Sequence, residues 1–409
     1  MEPEPRPWLL LERDFALIWT AGLISMTGNL AMFVALPVTV YGRTGSPLAT
    51  ALTALAGLVP SVLVGQFAGV VADRVDRRRL LIVANLVMAA LTGLYLAVPD
   101  GMWWPLVGLS LALGSAAQFG QSAEHALLGE IVPPHRLGEG ASLNAMNNNL
   151  ARLVGPAAGG FLYALAGFRG TVALDAVTFA IAATLVLLAS KTRQFSPEPR
   201  IESTGRIADW VLGAGLVWSH QVLRPLVLLV ALAMFGEGAI SALLAPFARE
   251  VLRGGAEVLG LILATQAVGG IAGAWWASRT ADHRAPLRML GGASLTAGCL
   301  LIVIFNYAPI YPHPWPAVVL TGLAGFPFAV FGAAQGYALQ VYAPPQLRGR
   351  VFSLAFGVLS LAQMVGTIVA GLAAERWGPL VINIDAVAHL GVGVIALVMT
   401  RTRLRGIRQ

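Results

Sequence analysis

Charge is scarce in this sequence. Asp, Glu, Lys and Arg make up 11% of its 409 residues, and hydrophobic residues make up 57%. Soluble globular domains carry roughly 25% charged residues. A chain so poor in charge cannot clothe itself for water, and the solvent it fits is a lipid bilayer. Cysteine is scarcer still. The single Cys299 lies in an apolar run, excludes a disulfide framework or a cysteine-ligated metal cluster, and reads as a small core residue. No GxxxxGK[ST] phosphate-binding loop is present, which argues against an ATP-driven pump. A nucleophile–base pair, a His-rich metal motif and cofactor motifs are also missing, so no enzyme activity, metal or cofactor is expected. The first residues, MEPEPRP, are polar and charged, with no short apolar stretch before a cleavage site, and predict no removable signal peptide.

What the chain does have is apolar runs of membrane length. A helix crossing the hydrocarbon core, about 30 Å thick, needs about 20 mostly apolar residues. Such runs lie near 15–40, 49–71, 80–98, 104–131, 140–166 and 170–189, then near 224–250, 257–278, 287–306, 315–342, 349–374 and 379–400. With both termini cytoplasmic, the inside segments hold 20 of the 27 Lys and Arg residues and the outside loops hold 5. That asymmetry is what the positive-inside rule demands of twelve spans. It also accounts for the net charge of +7 without a nucleic-acid partner. Trp103, Trp104 and Trp315 fall at the outer interface, and Trp275 and Trp276 near the inner one. The domain reading is a bundle over 1–189, a polar linker over 190–222 and a second bundle over 223–409. Within the linker, Ile207, Trp210, Val211, Ala214, Val217 and Trp218 share one helical face, which suits either a short interfacial helix or a simple tether.

The two halves echo each other. EIVPPHRLGEGASLN leads into the fifth span and QVYAPPQLRGRVFSLA into the eleventh, with the Pro pairs at 133–134 and 344–345 offset by 211 residues. Asp175-Ala176-Val177 recurs as Asp385-Ala386-Val387 at an offset of 210. Gly65 and Gly69 before Asp73 have a weaker echo in Gly269 and Gly273 before Arg279. Parallel six-span repeats predict a mid-membrane substrate site and alternating access by rocking of the halves.

The segment GQFAGVVADRVDRRR joins two spans and carries Gly65, Gly69, Asp73, Arg74, Arg77 and Arg78. In these residues the chain resembles the major facilitator superfamily. The stretch TGSPLATALTALAGLVPSVLVGQFAGVVADRVDRRRLLI is similar to the branch with macrolide efflux proteins and the enterobactin exporter. In LARLVGPAAGG, Gly155, Pro156, Gly159 and Gly160 resemble the glycine-proline motif of the superfamily's exporters. The resemblance implies an all-α integral membrane fold, with twelve transmembrane helices in two pseudo-symmetric six-helix bundles. It also implies a monomer. Gly65 and Gly69, four apart, predict close helix approach. Through the resemblance, Asp73 is set against the N-terminus of the eleventh span, a contact worth about 0.3–1 kcal/mol when exposed and up to ~2 when partly buried. Glu130 is a candidate partner for Arg74 and Arg77 in this cytoplasmic gate, against the plainer reading that the arginines only set topology. Relatives often carry an acid after the glycine of the first span; here that position is Asn29.

Ionisable residues inside spans are costly and usually functional. Asn144, Asn148 and Arg152 recur every four residues and form a polar stripe, with Arg152 ~18 Å along its span. Glu237 lies ~16 Å along the seventh span and Glu124 two turns from the inner end of the fourth. Glu237 and Glu124 are candidates for binding protons or a cationic substrate, with Arg152 as electrostatic partner. Fixed pairing of Glu124 with Arg152, or a protonated Glu237 joining helices, is the structural alternative. Asp175 and Asp385, repeat-related, suggest a shared structural task such as holding an outer gate. His389, one turn from Asp385, reads as a packing contact rather than a ligand. Phe326, Phe328, Phe331, Gln335, Gln118 and Gln121 are candidates for lining an amphipathic pocket.

The resulting expectation is a secondary transporter in a prokaryotic plasma membrane that exports small amphipathic molecules, of drug or siderophore class, by proton antiport. An uptake symporter and a non-transporting chaperone or receptor on the same fold are the alternatives, since fold does not fix function.

Overall fold

A computed structural model of the chain describes residues 8–190, 214–280, 286–344 and 347–406. The regular structure among them is helical. The helices are α1 (Arg13–Thr44), α2 (Pro47–Leu63), α3 (Gly65–Arg74), α4 (Arg77–Leu94), α5 (Trp104–Ile131) and α6 (Leu137–Leu188). After residue 213 come α7 (Leu223–Glu250), α8 (Ala256–Thr280), α9 (Pro286–Asn306), α10 (Trp315–Tyr342), α11 (Arg348–Trp377) and α12 (Asn383–Gly406). Most of the suggested interfacial helix at 207–218 lies outside the described residues; a short helical turn is present at 214–219.

Nine described helices are long and apolar enough to cross a membrane, or ten with the bent pair α2–α3 taken as one span. The twelve expected spans each fall on a helix, in one case differently from the linear reading. The second span is broken by 53° between α2 and α3. Pro60 near the end of α2 and Gly65 at the start of α3 are both poor helix formers and flank that break. The fifth and sixth expected spans both lie on α6, where Gly167, with non-helical backbone, falls in the expected gap between them. Large apolar side chains such as Phe33, Phe161, Leu187, Leu323 and Leu372 remain exposed, as suits faces turned to lipid. The chain is a multi-pass membrane protein.

Two compact units are formed, Met1–Arg43 with Ala56–Arg200, and Thr44–Leu55 with Ile201–Gln409. One core of the first unit gathers Ile18 and Ala21 of α1, Leu81 of α4, Ala123 and Leu127 of α5, and Val186 of α6. In the second unit one core lies around Leu226, Leu290, Phe331 and Leu354, and another around Leu243, Phe247, Phe305 and Ala386. The start of α2 belongs with the second unit because Glu375 of α11 accepts from Ser46 Oγ and from the Leu48 amide (3.1 Å), a first-turn donor with no intrahelical partner. Ala51 packs there against Gly371.

Small residues set the helix spacing. A Cβ at Gly155 would stand 2.7 Å from Leu30 Cβ, and one at Gly159 2.5 Å from Ala31 Cα, so α6 meets α1 backbone to backbone. In the second unit Gly366 of α11 meets Phe235 of α7 in the same way, 211 residues on from Gly155. The weaker echo, Gly269 and Gly273, packs α8 closely on α10 at Gly322 and Phe326. Gly69 differs from expectation: nothing lies within 4 Å of its Cβ position, and Gly65 meets only the end of the Gln118 side chain at 3.0 Å. Among the described residues, close helix packing by this glycine pair is therefore seen in the second copy.

The repeat extends to backbone geometry. Gly167 (φ 65°, ψ −168°) interrupts the helical backbone within α6, and Gly378 (φ 74°, ψ −178°) does so between α11 and α12, again 211 residues apart. Only glycine populates this region without strain. No neighbour lies within 4 Å of either Cβ position, so a substitution there is penalised by backbone strain alone. Gly167→Ala and Gly378→Ala are each expected to cost about 1–3 kcal/mol. Thermal unfolding in detergent measures this, and unchanged melting of both variants would contradict the turn geometry.

Candidate functional site

The polar interior of the first unit is built where α1, α5 and α6 converge. Glu124 of α5 is half-buried, and its carboxyl end rests against Gly22 of α1, where the missing side chain leaves room for it. Asn147 of α6 completes the cluster: its Nδ2 donates to Trp19 O at 2.7 Å, and Trp19 Nε1 donates to Leu143 O at 2.8 Å. These two bonds lock the amide and the indole, so Glu124 faces a rigid wall. Glu124 itself makes no hydrogen bond or ion pair among the described residues. Asn144 and Asn148 are half-buried on α6, and Arg152 is exposed one turn further along. No salt bridge joins Arg152 to Glu124, so the fixed-pair alternative does not describe this structure.

Asp175 and Asp385 are fully buried, each inside its own unit. A Cβ at Gly28 of α1 would stand 2.5 Å from Asp175 Oδ1, and one at Gly236 of α7 would stand 2.8 Å from Asp385 Oδ1. The shared task is thus a joint between the first and last spans of each bundle, with the carboxyl filling a glycine notch. Their surroundings differ. Thr178 Oγ1 donates to Asp175 O at 2.7 Å and lies 3.4 Å from its Oδ1. Among the described residues Asp385 has no hydrogen-bond donor on either oxygen, and its Oδ1 faces His389 Nε2 at 3.7 Å. The ligand atoms of Glu237, Asp385 and His389 all lie within 4.8 Å of one another. The packing reading of His389 was incomplete, because its ring also turns a nitrogen toward the two carboxyls. Phe328 and Phe331 pack edge-to-face on that ring at 5.1 and 5.5 Å, and Phe326 packs on Trp276. These three phenylalanines therefore sit in helix contacts.

In the segment between α3 and α4, Asp76 caps α4 by accepting from the Arg79 amide at 2.9 Å. Arg77 is the hub. It donates to Glu130 at the end of α5, to Ala72 O at 3.3 Å, and lies 3.7 Å from Asp73. Arg78 donates to the carbonyls of Val186 and Leu187 in the last turn of α6, where a cation also meets the negative end of the helix dipole. Arg74 is exposed. Before α6, Arg136 donates to Glu139 at 2.9 Å and to Glu12 at 2.6 Å, and the bonds to Glu139 push the guanidinium pKa further up.

Sequence reasoning missed Gly22, Gly28, Gly236 and Asn147. Each acts through a neighbour on another helix, and one helix's periodicity carries no trace of that neighbour. The one signal available was local: Gly28 and Gly236 each precede a polar residue, Asn29 and Glu237.

The profile of the Major Facilitator Superfamily matches residues 18–367. The chain belongs to this superfamily. Within the superfamily, it is 23% identical to macrolide efflux protein A of Streptococcus pyogenes over 373 residues, covering 89% of this chain and 90% of that protein. It is 26% identical to the multidrug efflux pump Tap of Mycolicibacterium fortuitum over 399 residues, covering 95% and 96%. Its fold is similar to that of a bacterial homologue of the human lysosomal transporter Spinster in an inward-facing, occupied conformation, with TM-score 0.70 and 14% identity over 95% of this chain and 96% of the other. A peptide transporter shares the fold with TM-score 0.73 and 16% identity over 95% and 94%.

Proposed function

We propose that this chain exports small amphipathic molecules, of drug or siderophore class, across a prokaryotic plasma membrane by alternating access, in exchange for protons. The observation that carries the reading is the likeness to efflux proteins along nearly the whole of both chains. Glu124 is the proton carrier. It sits in a bundle interior with no ion pair among the described residues, so no fixed counter-charge there holds it ionised. Asn144, Asn148 and Arg152, one polar stripe on α6, meet the cargo. Gly155, Pro156, Gly159 and Gly160 hold that stripe against α1. Gly65, Gly69, Asp73, Arg74, Arg77, Arg78 and Glu130 form the cytoplasmic gate. The protein works as a monomer with both termini cytoplasmic.

Purified protein in liposomes with an imposed pH gradient tests this, with a panel of macrolides and lipophilic cationic dyes as cargo. The expected result is cargo moving against its gradient while protons run the other way. Cargo and protons moving together would make the protein an uptake symporter and overturn the export reading.

A further inference from the structure

The interior of the second unit holds a cluster that export does not explain. Asp385 and His389, one turn apart on α12, are both fully buried, and Glu237 of α7 reaches them from a half-buried position. Neither carboxyl is ion-paired to Lys or Arg among the described residues. Both oxygens of Asp385 and the Nε2 of His389 lack a hydrogen-bond partner among the described residues. Buried polar atoms are nearly always partnered, and the exceptions mark strain, function or a missing ion.

Hydrogen-bond bookkeeping decides what His389 offers. Ser294 of α9 donates its one hydroxyl proton to His389 O at 2.8 Å. The same Oγ lies 3.0 Å from His389 Nδ1 and can only accept there, so Nδ1 carries the ring proton. Nε2 then presents a lone pair, aimed at a carboxylate oxygen 3.7 Å away. Lone pairs facing each other need an electron-poor atom between them. A neutral imidazole whose far N–H is held by another group is also the usual arrangement of a metal-bound histidine.

We propose that Glu237, Asp385 and His389 form a binding site for one divalent transition-metal ion of the zinc class. Two carboxylates and one neutral imidazole offer two negative charges and three donors, which one such ion neutralises and which leaves a fourth position open for water. Zinc bonds nitrogen and oxygen donors at about 2.0–2.2 Å, which sets neighbouring donors about 3.3 Å apart. The pair on α12 is near this spacing already, and the longest separation in the cluster is within 4.8 Å. Glu237, with its rotatable side chain, closes the remainder. Its partial exposure gives the ion an entry path, and the Phe328 and Phe331 rings hold the imidazole in place. The first unit supplies an internal contrast. Its glycine notch holds Asp175, but the residue after Gly28 is Asn29, and Phe179 occupies the position one turn from Asp175 that His389 occupies beside Asp385. The aspartate joint is common to both bundles; the other two ligands occur only in the second.

The test is calorimetric titration of the full chain, in detergent and free of any affinity tag, with Zn2+, alongside visible absorption with Co2+. The parent is expected to bind one Zn2+ per chain and to give the ligand-field band of four- or five-coordinate Co2+. His389→Gln and Glu237→Gln should lose the band and weaken binding at least about tenfold, and Ser294→Ala should weaken it about tenfold. Asp175→Asn should bind as the parent does. Zn2+ should also raise the melting temperature of the parent and not that of Glu237→Gln, a variant at the open side of the cluster that tests the site even if His389→Gln fails to fold. No Zn2+ bound by the parent would mean that the cluster holds protons alone, and binding unchanged in Glu237→Gln would place the ion elsewhere. Either result overturns the proposal. Because binding is measured without transport, its failure leaves the export reading standing, and failed export leaves the metal site standing.

Discussion

Gly159→Ala is expected to remove most of the folded protein. The added Cβ would stand 2.5 Å from Ala31 Cα, 2.6 Å from Ala31 O and 2.9 Å from Ala31 C. All three are backbone atoms of α1, so no rotamer change relieves the clash and the helices must move apart. Overpacking of this kind costs about 1–3 kcal/mol, occasionally more. The separation would also disturb Gly155 against Leu30, because α1 and the same span of α6, before Gly167, make both contacts. Gly69→Ala is the matched control. Its Cβ meets open space, and alanine is the better helix former by about 0.8–1 kcal/mol, so its fold should be unharmed. Size-exclusion profiles and thermal melting of the two variants in detergent decide the matter. Equal yield and melting for Gly159→Ala and the parent would mean that α1 and α6 are not in backbone contact.

Glu124→Gln is expected to uncouple transport while leaving the fold intact. Glutamine keeps the volume that fills the Gly22 space beside Asn147 and loses only the ionisable proton. Coupling between two ligands is reciprocal, and typically changes affinity by about 5- to 150-fold. If Glu124 carries the coupled proton, cargo affinity in the parent depends on pH, and this dependence flattens in Glu124→Gln. Gradient-driven movement should fall by a comparable factor, while cargo exchange without a gradient persists. A purely structural Glu124 would instead lower both activities together and leave the pH dependence unchanged. That pattern would move the proton elsewhere.

Several features were legible in the linear chain because they depend on local composition. Membrane insertion follows from apolar run length, and the repeat from residue offsets that need no contact information. The loop motif could be recognised because capping and charge act within a few residues, as in Asp76 on the Arg79 amide. Pairing of Glu130 with Arg77 was within reach for a similar reason, since each sits at an end of a predicted span. The break before α3 was not anticipated, because an apolar stretch has the same hydropathy whether it is straight or broken.

By itself the sequence determined the solvent, the multi-pass helical character and the two-fold internal repeat, because the cost of exposing backbone and charge to lipid acts on every residue wherever it later packs. It also determined which glycines and acids exist to be used. Only the tertiary structure decided which of them meet. Gly69 and Gly159 look alike in the sequence, yet one faces open space and the other touches a backbone. Glu237 and His389 are separated by 152 residues, yet their side chains converge with that of Asp385. The reason is physical. Helix periodicity states which residues share a face, whereas the rotation of each helix about its axis is set by mutual fit with its neighbours, a property of the assembled bundle rather than of any one segment.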